Sequence, residues 1–166
     1  MEKHLNALLS CILTSVVLAA LGVEFLEHED PCPLCLLQRL GMIAVAIGAL
    51  LNIFNQPRNM HYGVMLFASI FGGFVALRQI SLHVCPGFPV FGTPVLGLSL
   101  YTWSFIVFVC CIAYIALLLI LFQKRPEVTS TRLHGFHFFS LYFLLIISAL
   151  NILITYSLCG LGPCAD

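Results

Sequence analysis

Charge is what this sequence has least of. Only 8% of its 166 residues are Asp, Glu, Lys or Arg, 61% are hydrophobic, and the formal net charge is zero. Soluble chains carry about 25% charged residues, and the mean hydropathy here is +1.07, so a soluble globular domain is excluded. A basic surface for nucleic acid is lacking. So are the Cys-x-x-Cys-His of haem attachment and any flavin-binding fingerprint. What remains is an all-α membrane protein, read as one transmembrane domain over residues 1–166.

Five apolar stretches approach or exceed the length of about 20 residues that crosses a bilayer. They run over Leu5–Val23, Leu36–Phe54, Tyr62–Ile80, Leu98–Phe122 and Phe136–Leu158. Arg78 and Gln79 interrupt the end of the third, which fits the membrane if Arg78 snorkels to the interface. The first stretch is longer than a usual signal-peptide core and leads directly into an acidic loop, so it reads as a span.

The few charges set the expected orientation. Lys3, Arg58, Lys124, Arg125 and Arg132 fall on one side, whereas Glu24, Glu27, Glu29, Asp30 and Asp166 collect on the other with Arg39 and Arg78. The positive-inside rule then predicts a cytoplasmic N-terminus and a C-terminus outside. In a bacterium that is a multi-pass inner-membrane protein with an outer, periplasmic face.

Eight cysteines divide between the two environments. Cys11, Cys110 and Cys111 lie within spans, where a thiol is usually a small hydrophobe. Cys32, Cys35, Cys85, Cys159 and Cys164 all fall at the outer face, where disulfides persist. In Pro31-Cys32-Pro33-Leu34-Cys35-Leu36-Leu37-Gln38-Arg39 the prolines end any preceding helix, and Leu34 onward can be helical. Cys35 is thus expected in a first helical turn, where partial positive charge and Arg39 favour a thiolate. The same spacing suits a structural disulfide or half of a zinc site. A second pair, Cys159 and Cys164, flanks a glycine-rich turn able to close a disulfide. Cys32, Cys35, Cys159 and Cys164 together form either a two-pair exchange relay or a four-thiolate zinc site.

Polar residues recur at helical spacing inside two spans: Asn6, Ser10 and Thr14 in the first, Ser148, Asn151 and Thr155 in the fifth. They are expected to face other helices, with Ala44, Gly48, Gly72 and Gly73 allowing close approach. Ser81–Gly97 alternates proline and glycine and is expected to be an irregular, apolar loop on the outer interface, with Tyr101 and Trp103 at the headgroups. His4, His61, His134 and His137 read as interfacial residues, and no metal site is expected.

Cys32-Pro-Leu-Cys35 after a first span, Leu-Leu-Gln-Arg39 opening the second, and paired outer cysteines resemble the DsbB family over Leu5 to Phe122. The resemblance implies a four-helix transmembrane bundle, to which this chain adds a fifth C-terminal helix. It implies that Cys32 and Cys35 are the redox pair next to a quinone, ubiquinone or menaquinone, with Cys35 facing it and Arg39 stabilising both the thiolate and the reduced ring. It also implies a periplasmic DsbA-like thioredoxin-fold oxidase as protein partner and the membrane quinone pool as electron sink. Family members keep their second pair between the third and fourth spans, where this chain has only Cys85. Cys159 and Cys164 are expected to take that role, because the fifth span returns the tail to the outer face.

Energetics favour an electron sink of this kind. Oxidants of the DsbA type sit near −120 mV, so reoxidising one from an ordinary disulfide would be uphill by about 60–180 mV, or about 3–8 kcal/mol. Two other readings stand beside this one. A soft heavy-metal uptake protein would use the outer thiols together with Cys110 and Cys111, and a membrane scaffold would be held by disulfides.

Overall fold

A computed structural model of the chain describes residues 2–27, 32–84, 94–122 and 133–159, and the statements below concern those residues. Five helices follow one another: α1 (Glu2–Glu27), α2 (Pro33–Phe54), α3 (Asn59–Val84), α4 (Leu100–Leu121) and α5 (Gly135–Cys159). All five are long and apolar enough to cross a membrane. Each contains most or all of one of the expected stretches, and α1 to α3 and α5 extend past theirs. α3 continues through Val84, because no glycine or proline interrupts Ser81-Leu82-His83-Val84. Ser81–Val84, expected in an irregular connection, are thus helical, and residues 85–93 lie outside the described residues.

Local sequence explains where the helices start and stop. Cys32 caps α2 in an extended conformation, with Pro33 at the first helical position, where its missing N–H costs nothing. At the other end Asn55, extended, gives its N–H to the Leu51 carbonyl at 2.9 Å before Gln56 and Pro57 bar a continuation. His137, in the first turn of α5, accepts the backbone N–H of His134 at 3.0 Å, a reach-back that satisfies one donor at the helix start. Before α4, Leu96 (φ 53°) and Gly97 (φ 81°) make a tight turn between Val95 and Leu98. Trp103 Nε1 donates to the Val95 carbonyl at 2.9 Å and ties that turn to α4.

The helices pack in the order α5–α1–α2–α3–α4, and α2 also touches α4 and α5. The central helix is the one that carries the Cys-x-x-Cys. Its Gly48 faces Met65 of α3, and Gly72 of α3 takes the Phe108 ring of α4; a Cβ at either glycine would overlap that neighbour. Phe108 is fully buried in consequence. The expected close approach is realised at both glycines.

The polar stripe of α1 faces inward, with Asn6, Ser10 and Thr14 all buried. Asn6 donates to Tyr62 Oη at 2.9 Å, Tyr62 donates to Glu2 at 2.9 Å, and Asn52 reaches Asn6 at 3.4 Å. These bonds join α1, α2 and α3 at the end of the bundle away from the Cys-x-x-Cys. At that same end His4 lies 4.7 Å from the His137 ring and 5.5 Å from the His134 ring, between centroids. Phe54 meets Phe138 edge to face at 5.7 Å. The N-termini of α1 and α5 therefore lie together, and the two helices run parallel.

Candidate functional site: a dithiol at the start of the central helix

The start of α2 meets the C-terminal ends of α1 and α3. Cys32 occupies the cap position and Cys35 the first turn, as the prolines and the apolar run predict, and both carry free thiols. Between them and α3 stands Gln79, completely buried. Its Nε2 donates to Cys32 Sγ at 3.6 Å and to Cys35 Sγ at 3.4 Å, and its Oε1 lies 3.8 Å from the Cys35 thiol. Gln38, also buried, donates to the same Oε1 at 2.5 Å and fixes which way the Gln79 amide points. One turn further along α3, His83 contacts the Gln79 carbonyl through Nδ1 at 2.8 Å and stacks on Tyr101 of α4 at 5.0 Å.

The two sulfurs are not equivalent. Cys32 is pulled from its ordinary value of 9.0 down to about 6, chiefly because Cys35 hydrogen-bonds to its sulfur. The backbone N–H groups of Cys35 and Leu34 add to this, His83 helps, and partial burial opposes it. No side-chain cap hydrogen bond closes onto Cys32, so those N–H groups act as nearby partial charges. These contacts favour charge on Cys32, whereas the sequence placed its favourable electrostatics, the helix start and Arg39, at Cys35.

Arg39 follows Cys35 by one helical turn and is 7% exposed. Its Nη2 pairs with Glu24 Oε2 from α1. The contact is ionic and is not aligned as a hydrogen bond; Arg39 Nη1 and Glu24 Oε1 have no hydrogen-bond partner among the described residues. A buried donor and a buried acceptor without partners are costly, and here they stand together beside the dithiol.

Sequence reasoning located Cys32, Cys35 and Arg39, which the fold brings together. It missed Glu24, Gln38 and Gln79 as members of the site. The available signal was a polar residue interrupting an apolar span: Arg78 is exposed and its neighbour Gln79 turns inward. Cys159 ends α5, which runs parallel to α1 and so reaches the end of the bundle that holds the dithiol. The Cys159 side chain, Cys164 and Cys85 lie outside the described residues. Within the spans, Cys110 is exposed and Cys111 buried, so adjacent thiols diverge.

Comparison with known proteins places this architecture. The sequence profile of the family "Disulfide bond formation protein DsbB" matches residues 2–91, which contain α1 to α3 and the whole dithiol site. Similar relatives are each named disulfide bond formation protein B. That of Chromobacterium violaceum is 39% identical over 71 residues, covering 40% of this chain and 43% of the relative. That of Burkholderia ambifaria is 32% identical over 90 residues, covering 52% and 53%. Against these two the match spans about half the relative's length. A Polaromonas protein is 31% identical over 157 residues, covering 72% of this chain and 91% of the relative. No solved structure matches. With a five-helix membrane bundle, a dithiol at the start of its central helix and a match of this extent, the chain belongs to the DsbB family.

Proposed function

We propose that this protein is a quinone-dependent protein-dithiol oxidase of the bacterial inner membrane. It reoxidises a periplasmic DsbA-like oxidase and relays the electrons through two cysteine pairs to membrane quinone. The observation that carries this reading is the environment of Cys32 and Cys35. The pair sits at a helix start with one acidified sulfur, Gln79 touches both sulfurs, and Arg39 Nη1, without a hydrogen-bond partner among the described residues, lies one turn on. A purely structural disulfide needs none of these.

A quinone fits these residues. Its carbonyl oxygen is an acceptor without a proton, which is what the buried Nη1 donor lacks. Arg39 would hold that oxygen, next to Cys35. When bound, the quinone supplies a two-electron, two-proton sink dissolved in the same bilayer.

The chain's own residues divide the remaining work. A thiolate of the second pair attacks Cys32 of the Cys32–Cys35 disulfide, and Cys35 leaves as the thiolate. With Cys32 tied in that mixed disulfide, the Cys35 thiolate stands free of its former partner. Arg39 and the Gln79 amide then remain beside its sulfur. Cys159 and Cys164 form the second pair, carried by α5 toward the dithiol end. The membrane unit is the whole chain, with its N-terminus in the cytoplasm and its C-terminus and active face in the periplasm.

Disulfide mapping of the purified, reduced protein with and without ubiquinone or menaquinone tests the proposal. The Cys32–Cys35 bond is expected to re-form only with quinone present, and Cys35→Ser should abolish quinone reduction. A dithiol that ignores both quinones and binds a soft metal stoichiometrically would favour the uptake reading instead.

A further inference from the structure

Gln79 is hydrogen-bonded to both sulfurs and is itself fully buried. A primary amide in an apolar helix is costly unless its hydrogen bonds are made. Gln79 Oε1 accepts from Gln38 Nε2 at 2.5 Å, so the nitrogen is the end that remains for the sulfurs. Gln38 is buried as well, and bulk water competes for neither amide. A neutral thiol is a weak acceptor for such a donor, whereas an ionised acceptor roughly doubles the strength of the bond. We propose that Gln79 binds the leaving thiolate of the site: its amide nitrogen holds the negative charge that appears on Cys35 when the disulfide is opened, and Gln38 positions that amide. This role rests on the redox reading of the pair given above, and not on which acceptor takes the electrons.

In the exchange step a thiolate of the second pair attacks Cys32 Sγ. An S–S bond forms there, the Cys32–Cys35 bond breaks, and its electron pair leaves on Cys35 Sγ. One anion enters and one remains, so the step consumes no proton and needs no outside oxidant. The new anion stands in the first turn of α2, partly buried, where an uncompensated charge is costly. Gln79 Nε2 lies 3.4 Å from that sulfur, and Arg39, one helical turn on, faces Glu24. The amide is therefore the donor in direct contact with the leaving group. Its longer contact to Cys32, 3.6 Å, places the same nitrogen beside the sulfur under attack. When Cys35 is a neutral thiol, Gln79 Oε1 stands 3.8 Å from it as an acceptor, so one amide serves both states of that sulfur. A leaving group held in this way departs faster, because a stabilised thiolate has a lower pKa.

Two readouts that need no quinone test this role. In a Cys32→Ala background Cys35 is a lone sulfur, as it is in the mixed disulfide. There Gln79→Leu should raise the pH midpoint of Cys35 alkylation by iodoacetamide by about one unit, the scale of a hydrogen bond to a charged group. In a Cys159→Ser, Cys164→Ser background with Cys32 and Cys35 intact, opening of their disulfide by dithiothreitol should slow by about threefold or more, as a poorer leaving group requires. The double variant Gln38→Leu, Gln79→Leu separates this role from a structural one. Replacing both partners by apolar groups leaves no orphaned donor, so thermal stability should return toward the parent while the raised midpoint and the slow opening persist. The double variant also carries the test if Gln79→Leu alone does not fold. A midpoint that does not rise, opening at the parent rate or faster, or recovery of both in the double variant overturns the role of Gln79. A parent protein in which Cys32 and Cys35 close no disulfide for dithiothreitol to open overturns the redox reading itself.

Discussion

Cys32 and Cys35 stand three residues apart and differ in what reaches their sulfurs. Cys32 receives the Cys35 hydrogen bond and two backbone N–H groups. In the reduced protein its alkylation should titrate near 6, and Cys35→Ala should move the midpoint up toward the ordinary thiol range of about 8.5, since the largest acidifying contact is gone. The sign for stability follows from a folded value below the unfolded one. The contribution is fully present above about 9 and is lost as pH falls through about 6, so the reduced form should resist heating better at mildly alkaline than at mildly acidic pH. Gln79→Leu removes the amide from both sulfurs and leaves Gln38 without its acceptor. A loss of about 1–3 kcal/mol is expected for the orphaned buried donor, measured by thermal unfolding in detergent, together with slower Cys32–Cys35 closure. Of these residues the Cys-x-x-Cys and Arg39 were legible from spacing alone. Glu24, Gln38 and Gln79 were not, because their partners lie 15, 41 and 44 residues away in the chain (39 − 24, 79 − 38 and 79 − 35).

At the scale of elements, α2 is the axis and small residues let its neighbours close on it. Phe108 fills the space that Gly72 leaves open and lies 3.1 Å from where a Cβ on Gly41 would stand. Gly72→Ala is expected to destabilise by about 1–3 kcal/mol through overpacking, and by less in a Phe108→Leu background, a coupling that a double-mutant cycle measures directly. Helix existence was readable from apolar length, and the start of α2 from Pro31 and Pro33. The extent of α3 was not, because the glycine–proline loop signal blurs the boundary that Ser81-Leu82-His83-Val84 sets. The histidines illustrate the same limit: His4, His134 and His137 looked like isolated interfacial residues, and α1 and α5 bring their rings within 6.0 Å of one another.

For the whole molecule the parity of the helices matters most. Five membrane helices, with α1 and α5 parallel, direct the end of α5 toward the dithiol. Under the proposed relay, replacing both Cys159 and Cys164 by serine should stop oxidation of a DsbA-like substrate and leave quinone-driven closure of Cys32–Cys35 at its parent rate. Normal substrate oxidation in that double variant would remove the tail from the scheme. Composition alone determined that this chain lives in a bilayer, since so few charges leave no other solvent for so much apolar surface, and apolar length determined the five crossings. Tertiary structure alone decided what surrounds the two sulfurs. A buried amide from α3 and a carboxylate from α1 reach the start of α2 across helix contacts that no local pattern encodes. The Cys-x-x-Cys therefore announced a dithiol whose own helix start acidifies Cys32, and the packing of α1 and α3 against α2 determined which polar side chains stand around it.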